Sequence, residues 1–278
     1  MSMKIAICAG HGKSTKSDIY DPGAIGNGFE EYQIVRDIAK YAYTFLKANY
    51  ECNAELINYN KELNLNERIN YCNSKAFDFT AEIHMNAFTS NTPTGTEAYY
   101  NDETGKKVAD SVCKNIASVL NLPQRSNGVD DGGDKATTYF GIVCRTKKPA
   151  ILIETCYITT PGDVSKVSDQ IGREKAGIAI AKGIASGMNL PVRNSSNTAD
   201  KITSVQKYYI QVGAFAINSQ NADNYKKKVI ESGFKNVVIM RTSKLRLVMV
   251  GPYMKKEEAL VAKESIMSNG FNGIIKLI

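Results

Sequence analysis

Apolar stretches with strand character alternate with stretches of helical periodicity through the first 190 residues of the chain. We predict strands at KIAIC, AELINY, FDFTAEIH and AILIETCYI, and helices over 31–48, 62–75, around 108–120 and within 164–188. The last of these strands is almost entirely apolar, as expected where both faces of a strand are covered. Alternation of strands with helices therefore predicts an α/β domain built on a single, mostly parallel sheet flanked by helices.

The helical and strand periods are lost after residue 188, and a different pattern follows. Residues 189–206 are rich in Asn, Ser and Thr and are interpreted as a linker between a first domain, 1–188, and a second domain, 207–278. The second domain contains an internal repeat, because YIQVGAF at 209–215 aligns with LVMVGPY at 247–253. Each half has a strand, a helix and a strand, which predicts a small α+β sandwich of the βαβ-βαβ kind.

The net charge is distributed unevenly along the chain, which limits the possible partners of its second domain. Residues 1–206 hold 23 Lys+Arg and 23 Asp+Glu, whereas residues 207–278 hold 12 and 5, so the net charge of +7 belongs to the second domain. An anionic partner is therefore expected there.

The six cysteines form no C-x-x-C pair, which disfavours cysteine ligation of zinc, and we expect no disulfides.

The amino terminus and the apolar runs carry expectations about location. MSMKIAIC enters a strand pattern directly, without the features of a signal peptide. No apolar run approaches the ~20 residues of a membrane-spanning helix. We expect synthesis in the cytoplasm, no membrane span, and release by another agent if the protein acts outside.

Three polar residues follow, end or interrupt predicted strands, and a fourth opens the first helix, so that all four can meet at the edge where the strand ends of a parallel sheet converge. His11 follows the first strand, His84 ends the third, Glu154 lies within the fourth, and Glu31 opens the first helix. Two imidazoles and a carboxylate are a common ligand set for catalytic zinc, which keeps another position open. Each residue also has an ordinary interpretation: a structural histidine, or an acid in the first turn of a helix, where Glu30 competes with Glu31. Glu154 is the most unusual, because a carboxylate in an apolar strand is costly to bury unless it is paired, bound to metal or protonated.

Other polar residues near these positions have more than one interpretation. Asn86 and Arg145 are candidates for orienting a substrate, although Arg145 in CRTKKP is also compatible with a solvated loop charge. Glu82 shares a strand face with His84 and is either a partner of that imidazole or part of an ordinary ion pair. Asp21, in YDPGA, is interpreted as a turn former.

The motifs AGHG, DPGAIGNGFEE, EIHMNA and PAILIET, in this order, resemble those of the zinc-dependent N-acetylmuramoyl-L-alanine amidases of the Amidase_3 type. The resemblance implies that His11, Glu31 and His84 bind one Zn²⁺ ion and that Glu154 is the catalytic glutamate. It also implies hydrolysis of the amide between the lactyl group of N-acetylmuramic acid and the L-alanine of the stem peptide. The chain departs from the family in the longer segment HGKSTKSDIYDPGA, and in Cys156-Tyr157, where a glycine and an aromatic residue usually follow the catalytic strand.

The repeat in residues 207–278 resembles a SPOR domain, which implies binding to peptidoglycan glycan strands. Candidate glycan-binding residues are Gln211, Phe215, Arg246 and Tyr253. The arginine frequent in that family at the position of Leu247 falls one residue earlier here, which in a strand is the opposite face. RNA binding by a basic βαβ-βαβ domain is the rival interpretation, but the aromatic run that it needs on the central strands is missing. A third interpretation is that the basic domain anchors the protein to the cell wall by charge attraction alone.

These observations predict a peptidoglycan hydrolase, either a phage endolysin or a bacterial autolysin, that acts at the cell wall after release. The alternatives are a zinc peptidase that cuts within the stem peptide, and a non-enzymatic protein that binds cell wall or nucleic acid. We expect bacterial peptidoglycan as the partner and no nucleic acid.

Overall fold

The computed structural model describes residues 2–13, 19–131, 140–193, 207–242, 244–254 and 256–278. Its contacts divide the chain into two compact units, Met1–Asn194 and Ser195–Ile278. Within the described residues, no helix combines the length and apolar character needed to cross a membrane.

The first unit contains a six-stranded sheet, six helices and two short hairpins in its described residues. The strands of the sheet are β1 (Met3–Ala9), β6 (Cys52–Ile57), β7 (Phe79–Asn86), β8 (Thr96–Tyr100), β9 (Gln124–Asp131) and β10 (Ala150–Tyr157). The helices are α1 (Glu31–Asn49), α2 (Leu65–Lys75), α3 (Glu103–Leu120), α4 (Gly141–Arg145), α5 (Pro161–Val164) and α6 (Gln170–Gly187). One hairpin pairs β2 (Gly12–Lys13) with β3 (Tyr20–Asp21), and the other pairs β4 (Ile25–Gly26) with β5 (Phe29–Glu30).

The strand order of the sheet is β6-β1-β7-β10-β8-β9. The first four strands are parallel, β8 is antiparallel to β10, and β9 is parallel to β8. The carboxyl ends of β1, β7 and β10 therefore meet the amino ends of β8 and β9 at one edge of the sheet. The expected mostly parallel α/β fold is confirmed, whereas β8 and β9 were not among the predicted strands.

Side chains alternate between two helical layers along each central strand, as strand geometry requires. Ile5, Ile7 and Ile83 are fully buried with the apolar faces of α1, α3 and α6. Ala6 and Cys8 face the other way and pack with α2, while Leu152 packs with α2 and α4. Glu82, His84 and Glu154 lie on this second face by the same alternation.

Two helix boundaries differ from those predicted, because capping residues set them. The helix predicted over 62–75 begins at Leu65, since Asn64 and Glu67 form a reciprocal capping box. The closing helix α6 begins at Gln170, where the Asp169 side chain accepts a hydrogen bond from the Gly172 amide. Residues 189–193, expected as the start of the linker, lie against the first unit: Val192 bridges to Tyr50. The rest of the expected linker, 194–206, lies outside the described residues.

The second unit is a four-stranded sheet with two helices, as the internal repeat predicts. Its elements are β11 (Tyr208–Ala216), α7 (Asn221–Glu231), β12 (Val237–Arg241), β13 (Leu245–Tyr253), α8 (Lys256–Ser268) and β14 (Ile274–Leu277). The strand order is β12-β13-β11-β14, and each described pair is antiparallel. The repeated strands β11 and β13 are thus adjacent at the centre of the sheet. Their apolar residues Ile210, Val212, Val248 and Val250 form the core beneath the helices.

Candidate metal centre and its surroundings

Three side chains from separate elements converge at the carboxyl edge of the parallel strands. His11 Nε2 lies 3.1 Å from Glu31 Oε1, His84 Nδ1 lies 3.0 Å from the same oxygen, and the two nitrogens are 3.1 Å apart. Among the described residues, these three form the cluster of His, Cys, Asp and Glu side chains with the spacing of metal ligands. We call this cluster, His11, Glu31 and His84, the ligand triangle.

Local backbone geometry places each member of the ligand triangle. His11 follows β1 in the left-handed region, with φ of 60°, which turns its ring back towards the sheet. Gly10 leaves room for the His84 ring, because a Cβ there would lie 2.3 Å from the imidazole Cε1. Gly23 similarly leaves room for His11 and Glu31, which a Cβ there would approach within 2.6 and 2.7 Å. Gly10 is therefore required for space, and Gly23 both for space and for its positive φ of 72°.

Carboxylates outside the triangle hold both imidazoles. Asp21 Oδ2 lies 2.9 Å from His11 Nδ1, and Glu82 Oε1 lies 3.0 Å from His84 Nε2. Glu82 also forms a buried ion pair with Arg68 of α2, with 2.7 Å between Nε and Oε2. Glu82 is therefore both an imidazole partner and an ion-pair member, and Asp21 does more than form a turn. Such outer partners fix the ring orientation and the tautomer of a ligating histidine.

The electrostatics of the triangle are those of a cation site. Burial alone would raise the pKa of Glu31, but the two imidazoles lower it well below its usual range. Burial alone would lower the pKa of His84, but the carboxylates of Glu31 and Glu82 raise it to about 10. The Met85 and Ala24 amides each donate a hydrogen bond to Glu31, at 2.9 and 2.8 Å. Positive charge is thus strongly favoured at this position.

The ligand triangle fits a tetrahedral metal such as zinc. Two ligands that each lie ~2.0–2.1 Å from a tetrahedral zinc ion are about 3.3–3.4 Å from each other. The observed separations of 3.0–3.1 Å come within a few tenths of an ångström of this value. Two imidazoles and one carboxylate also leave a fourth position for water or substrate, as catalytic zinc sites do.

Glu154 lies beside the triangle on the neighbouring strand. It is the register partner of His84 between β10 and β7, and its residue surface is 9% exposed. Its Oε2 atom is buried and makes no hydrogen bond within the described part of the chain. Burial raises the pKa of Glu154 to about 8, although the His84 imidazole opposes the shift. A carboxyl group with this pKa is suited to exchanging protons near neutral pH.

A polar network that the sequence did not indicate lies on the other side of Glu154. Glu97 of β8 is the register partner of Glu154, and its carboxylate accepts hydrogen bonds from Asn86 Nδ2 and, at 3.4 Å, from the Tyr157 hydroxyl. Arg125 Nε lies 3.5 Å from the second Glu97 oxygen, and its guanidinium carbon lies 5.1 Å from the Tyr157 ring centroid. We call Glu97, Arg125, Asn86 and Tyr157 the β8–β9 network. Its position depends on two strands that the periodicity did not reveal.

Arg145, expected as an orienting group, is engaged elsewhere. Its guanidinium donates to Asn66 Oδ1 of α2 at 2.5 Å, and its carbonyl accepts a hydrogen bond from Asn73 at 3.0 Å. These contacts tie the end of α4 to α2. Asn86, the other expected orienting group, is close to the site but is held by Glu97.

The expected glycan-binding residues of the second unit lie on different faces of its sheet. Arg246 forms an ion pair with Asp223 of α7 at 2.7 Å, and the Phe215 ring lies 5.3 Å from that of Tyr225 on the same helix. Tyr253 also packs against the core beneath the helices. Gln211 lies between two residues of that core, so alternation places it on the opposite face. The structure therefore separates Gln211 from the other three.

Fold and site together define an α/β domain with a candidate divalent-metal centre and an adjacent buried carboxyl group whose pKa is raised, an arrangement typical of metal-dependent hydrolases. Residues 5–186 match the N-acetylmuramoyl-L-alanine amidase family Amidase_3, and the chain belongs to that family. Residues 204–277 match the SPOR domain family. Both resemblances drawn from the sequence motifs are confirmed.

Individual relatives agree with this assignment. The N-acetylmuramoyl-L-alanine amidase LytC of Bacillus subtilis (strain 168) is 33% identical over 186 residues, which are 66% of this chain but 35% of that protein. The sporulation-specific N-acetylmuramoyl-L-alanine amidase of the same organism is 29% identical over 241 residues, 86% of this chain and 85% of its own length. Among solved structures, the catalytic domain of the amidase CwlV from Bacillus (Paenibacillus) polymyxa var. colistinus matches with a TM-score of 0.58 and 25% identity, covering 68% of this chain and 99% of that one.

Proposed function

We propose that this protein is a zinc-dependent peptidoglycan amidase that cleaves the bond between N-acetylmuramic acid and the L-alanine of the stem peptide. The observation that carries the proposal is the ligand triangle next to Glu154, a buried carboxyl group with a raised pKa and an oxygen without a hydrogen bond. Family membership supports the identity of the scissile bond.

His11, Glu31 and His84 would hold the ion through Nε2, Oε1 and Nδ1, the atoms that converge in the structure. Zinc, when bound, supplies a Lewis acid that polarises the scissile carbonyl and acidifies the attacking water. Asp21 and Glu82 keep the two imidazoles in the tautomers that present those nitrogens. The carboxylate of Glu31 needs no proton removed, because its pKa is already low.

Glu154 acts as general base and then as general acid. Its carboxylate takes a proton from the attacking water and returns it to the alanine nitrogen as the amide bond breaks. Burial raises the pKa of Glu154 to about 8, and the charge of a bound metal ion would lower it. A pKa near the working pH suits both directions of proton transfer.

The SPOR domain would keep the catalytic domain at the wall by binding glycan strands, so that the protein acts at the bacterial cell wall. Tethering raises the effective concentration of a catalytic domain at its substrate. Gln211, on the sheet face away from the helices, is the glycan contact that the second unit best supports. The Arg246 guanidinium is engaged in its ion pair with Asp223 of α7.

Metal analysis combined with product analysis tests the proposal. The purified protein should contain about one zinc ion, and its digest of peptidoglycan should contain stem peptides with free amino-terminal alanine and muramic acid with intact lactyl groups. A His11→Ala variant should lose both the metal and the activity. Full wall-lytic activity in that variant would contradict the zinc centre, and new amino termini within the stem would indicate a peptidase instead.

A further inference from the structure

The β8–β9 network lies on the side of Glu154 that faces away from the ligand triangle. Strand order places β1 and β7 with the histidines, then β10 with Glu154, then β8 with Glu97 and β9 with Arg125. Along one edge of the sheet, the order is thus the ligand triangle, then the Glu154 carboxyl group, and then the Arg125 guanidinium.

The chemistry of the proposed reaction indicates which part of the substrate lies on each side of Glu154. Glu154 must reach the nitrogen of L-alanine, because that nitrogen leaves as an amine and needs a proton. The stem peptide therefore departs from the metal on the side of Glu154, towards Glu97 and Arg125. The sugar and its lactyl group lie on the other side of the scissile carbonyl.

Arg125 is built to receive an anion at this place. Its side chain is 37% exposed, and its guanidinium is held against the Tyr157 ring and the Glu97 carboxylate. The Nε atom is buried and faces Glu97 Oε2 at 3.5 Å, so the exposed part of the side chain is what a substrate anion can reach. The Cγ atom of Arg125 passes 3.1 Å from the position that a Cβ of Gly95 would take, so Gly95 gives the side chain its path.

The distances match a group two residues into the stem. Neighbouring strands are ~4.8 Å apart, so the Glu97 side chain lies about one strand spacing beyond that of Glu154. The α-carboxylate of the second stem residue, a D-glutamate, lies about 6–7 Å from the alanine nitrogen when the chain is extended. It is also the anionic group of the stem nearest to the scissile bond.

We propose that Arg125, positioned by Glu97 and Tyr157, binds the α-carboxylate of the second residue of the stem peptide and makes the enzyme selective for stems in which this group is not amidated. This inference rests on the proposed amidase function and adds a specificity-determining residue to it. A guanidinium and a carboxylate form paired, charge-assisted hydrogen bonds, which a carboxamide cannot reproduce with the same strength.

Two synthetic muropeptides test the inference: MurNAc-L-Ala-γ-D-Glu-L-Lys, and the same molecule with the α-carboxylate of D-Glu converted to a carboxamide. The wild-type protein should cleave the carboxylate form with a kcat/KM about 10- to 100-fold higher, mainly through a lower KM. Arg125→Gln should lose this preference and cleave the two substrates with similar kcat/KM. Arg125→Lys should restore part of the preference, because it restores the charge without the paired geometry.

Arg145→Gln is the matched control, since that arginine contacts α2, and it should keep the full preference. Circular dichroism and the thermal unfolding midpoint, compared with the wild-type protein, show that Arg125→Gln is folded. Equal cleavage of both substrates by the wild-type protein, or an undiminished preference in Arg125→Gln, would overturn the assignment of Arg125. Failure of the wild-type protein to release peptide from either substrate would instead overturn the amidase function on which it rests.

Discussion

Replacing Gly10 by alanine should disable the metal centre without unfolding the domain. A Cβ at this position would lie 2.3, 2.5 and 2.7 Å from Cε1, Nε2 and Nδ1 of His84. Nonbonded carbon atoms prefer separations of ~3.5–4.0 Å, so the ring must move by about 1.2 Å. The backbone cannot yield instead, because the Gly10 amide donates a 2.9 Å hydrogen bond to Ile83 of β7, the strand that carries His84.

A displacement of this size is large for a metal ligand. Productive sites hold their groups within about 0.5 Å, and a misplacement of 1 Å costs on the order of 100-fold. We therefore expect the zinc affinity of Gly10→Ala to fall by about 100-fold or more, equivalent to about 2.7 kcal/mol. Activity should fall with it at limiting zinc.

Competition with a chromophoric chelator measures the affinity, and thermal unfolding followed by circular dichroism reports the fold. Gly162→Ala is the control, since a Cβ there meets no atom within 4 Å. It should bind zinc like the wild-type protein. The same affinity in Gly10→Ala would refute the placement of His84 against the Gly10 backbone.

Three further predictions follow from the surroundings of the ligand triangle. Glu154→Gln should retain zinc, as measured by atomic absorption. Its kcat should fall about 10²–10⁴-fold, because an amide does not accept the proton of water. An unchanged kcat would exclude Glu154 as the base. Arg68→Met should lower the free energy of unfolding in urea by up to about 3–5 kcal/mol, because it leaves the buried Glu82 charge with the His84 imidazole as its remaining partner. Glu82→Gln added to it should recover much of the loss. An undiminished unfolding midpoint in the single variant would contradict the importance of that ion pair. The pKa of His84 in the metal-free protein is raised to about 10, so this imidazole is protonated at neutral pH and must release its proton on binding zinc. The apparent zinc affinity should therefore rise by up to about tenfold per pH unit between about pH 6 and 8. An affinity independent of pH would show that His84 is not a ligand.

His11, His84 and Glu154 are accessible to sequence reasoning because they lie at or near the carboxyl ends of parallel strands, whereas Glu31 opens α1 and is singled out by the motif DPGAIGNGFEE. Periodicity located the strands that carry His11, His84 and Glu154, and strand ends of a parallel sheet share an edge. Glu154 was conspicuous because an acid in an apolar strand requires a reason.

What the sequence left out depends on contacts between distant segments. GTEAYY carries only a short alternation, which predicts neither β8 nor its antiparallel pairing with β10, and therefore does not indicate Glu97 or Arg125. Asp21 has the sequence context of a turn former, and only the folded hairpin brings its carboxylate to His11. Arg145 lies close in sequence to the strand that carries Glu154, but its hydrogen-bond partner is Asn66 of α2.

In the second unit, too, the sequence predicts the order of the elements but not the contacts between them. Aligning the two halves of the repeat was enough to predict the order of its strands and helices. The faces on which Phe215 and Arg246 lie were not predictable from that alignment, since they depend on irregular pairing near Gly213 and on the position of α7.

Digestion of purified peptidoglycan by the zinc-loaded protein in water enriched in ¹⁸O tests the central claim most directly. Hydrolysis of the muramoyl-alanine amide places one ¹⁸O atom in the lactyl carboxylate of muramic acid and leaves the released stem peptide unlabelled, with a free alanine amino terminus. Mass spectrometry of the sugar and peptide products should show this pattern, and removal of zinc by a chelator should abolish it. Label in a carboxylate of the stem peptide, or release that persists without metal, would contradict the assignment of a zinc-dependent amidase.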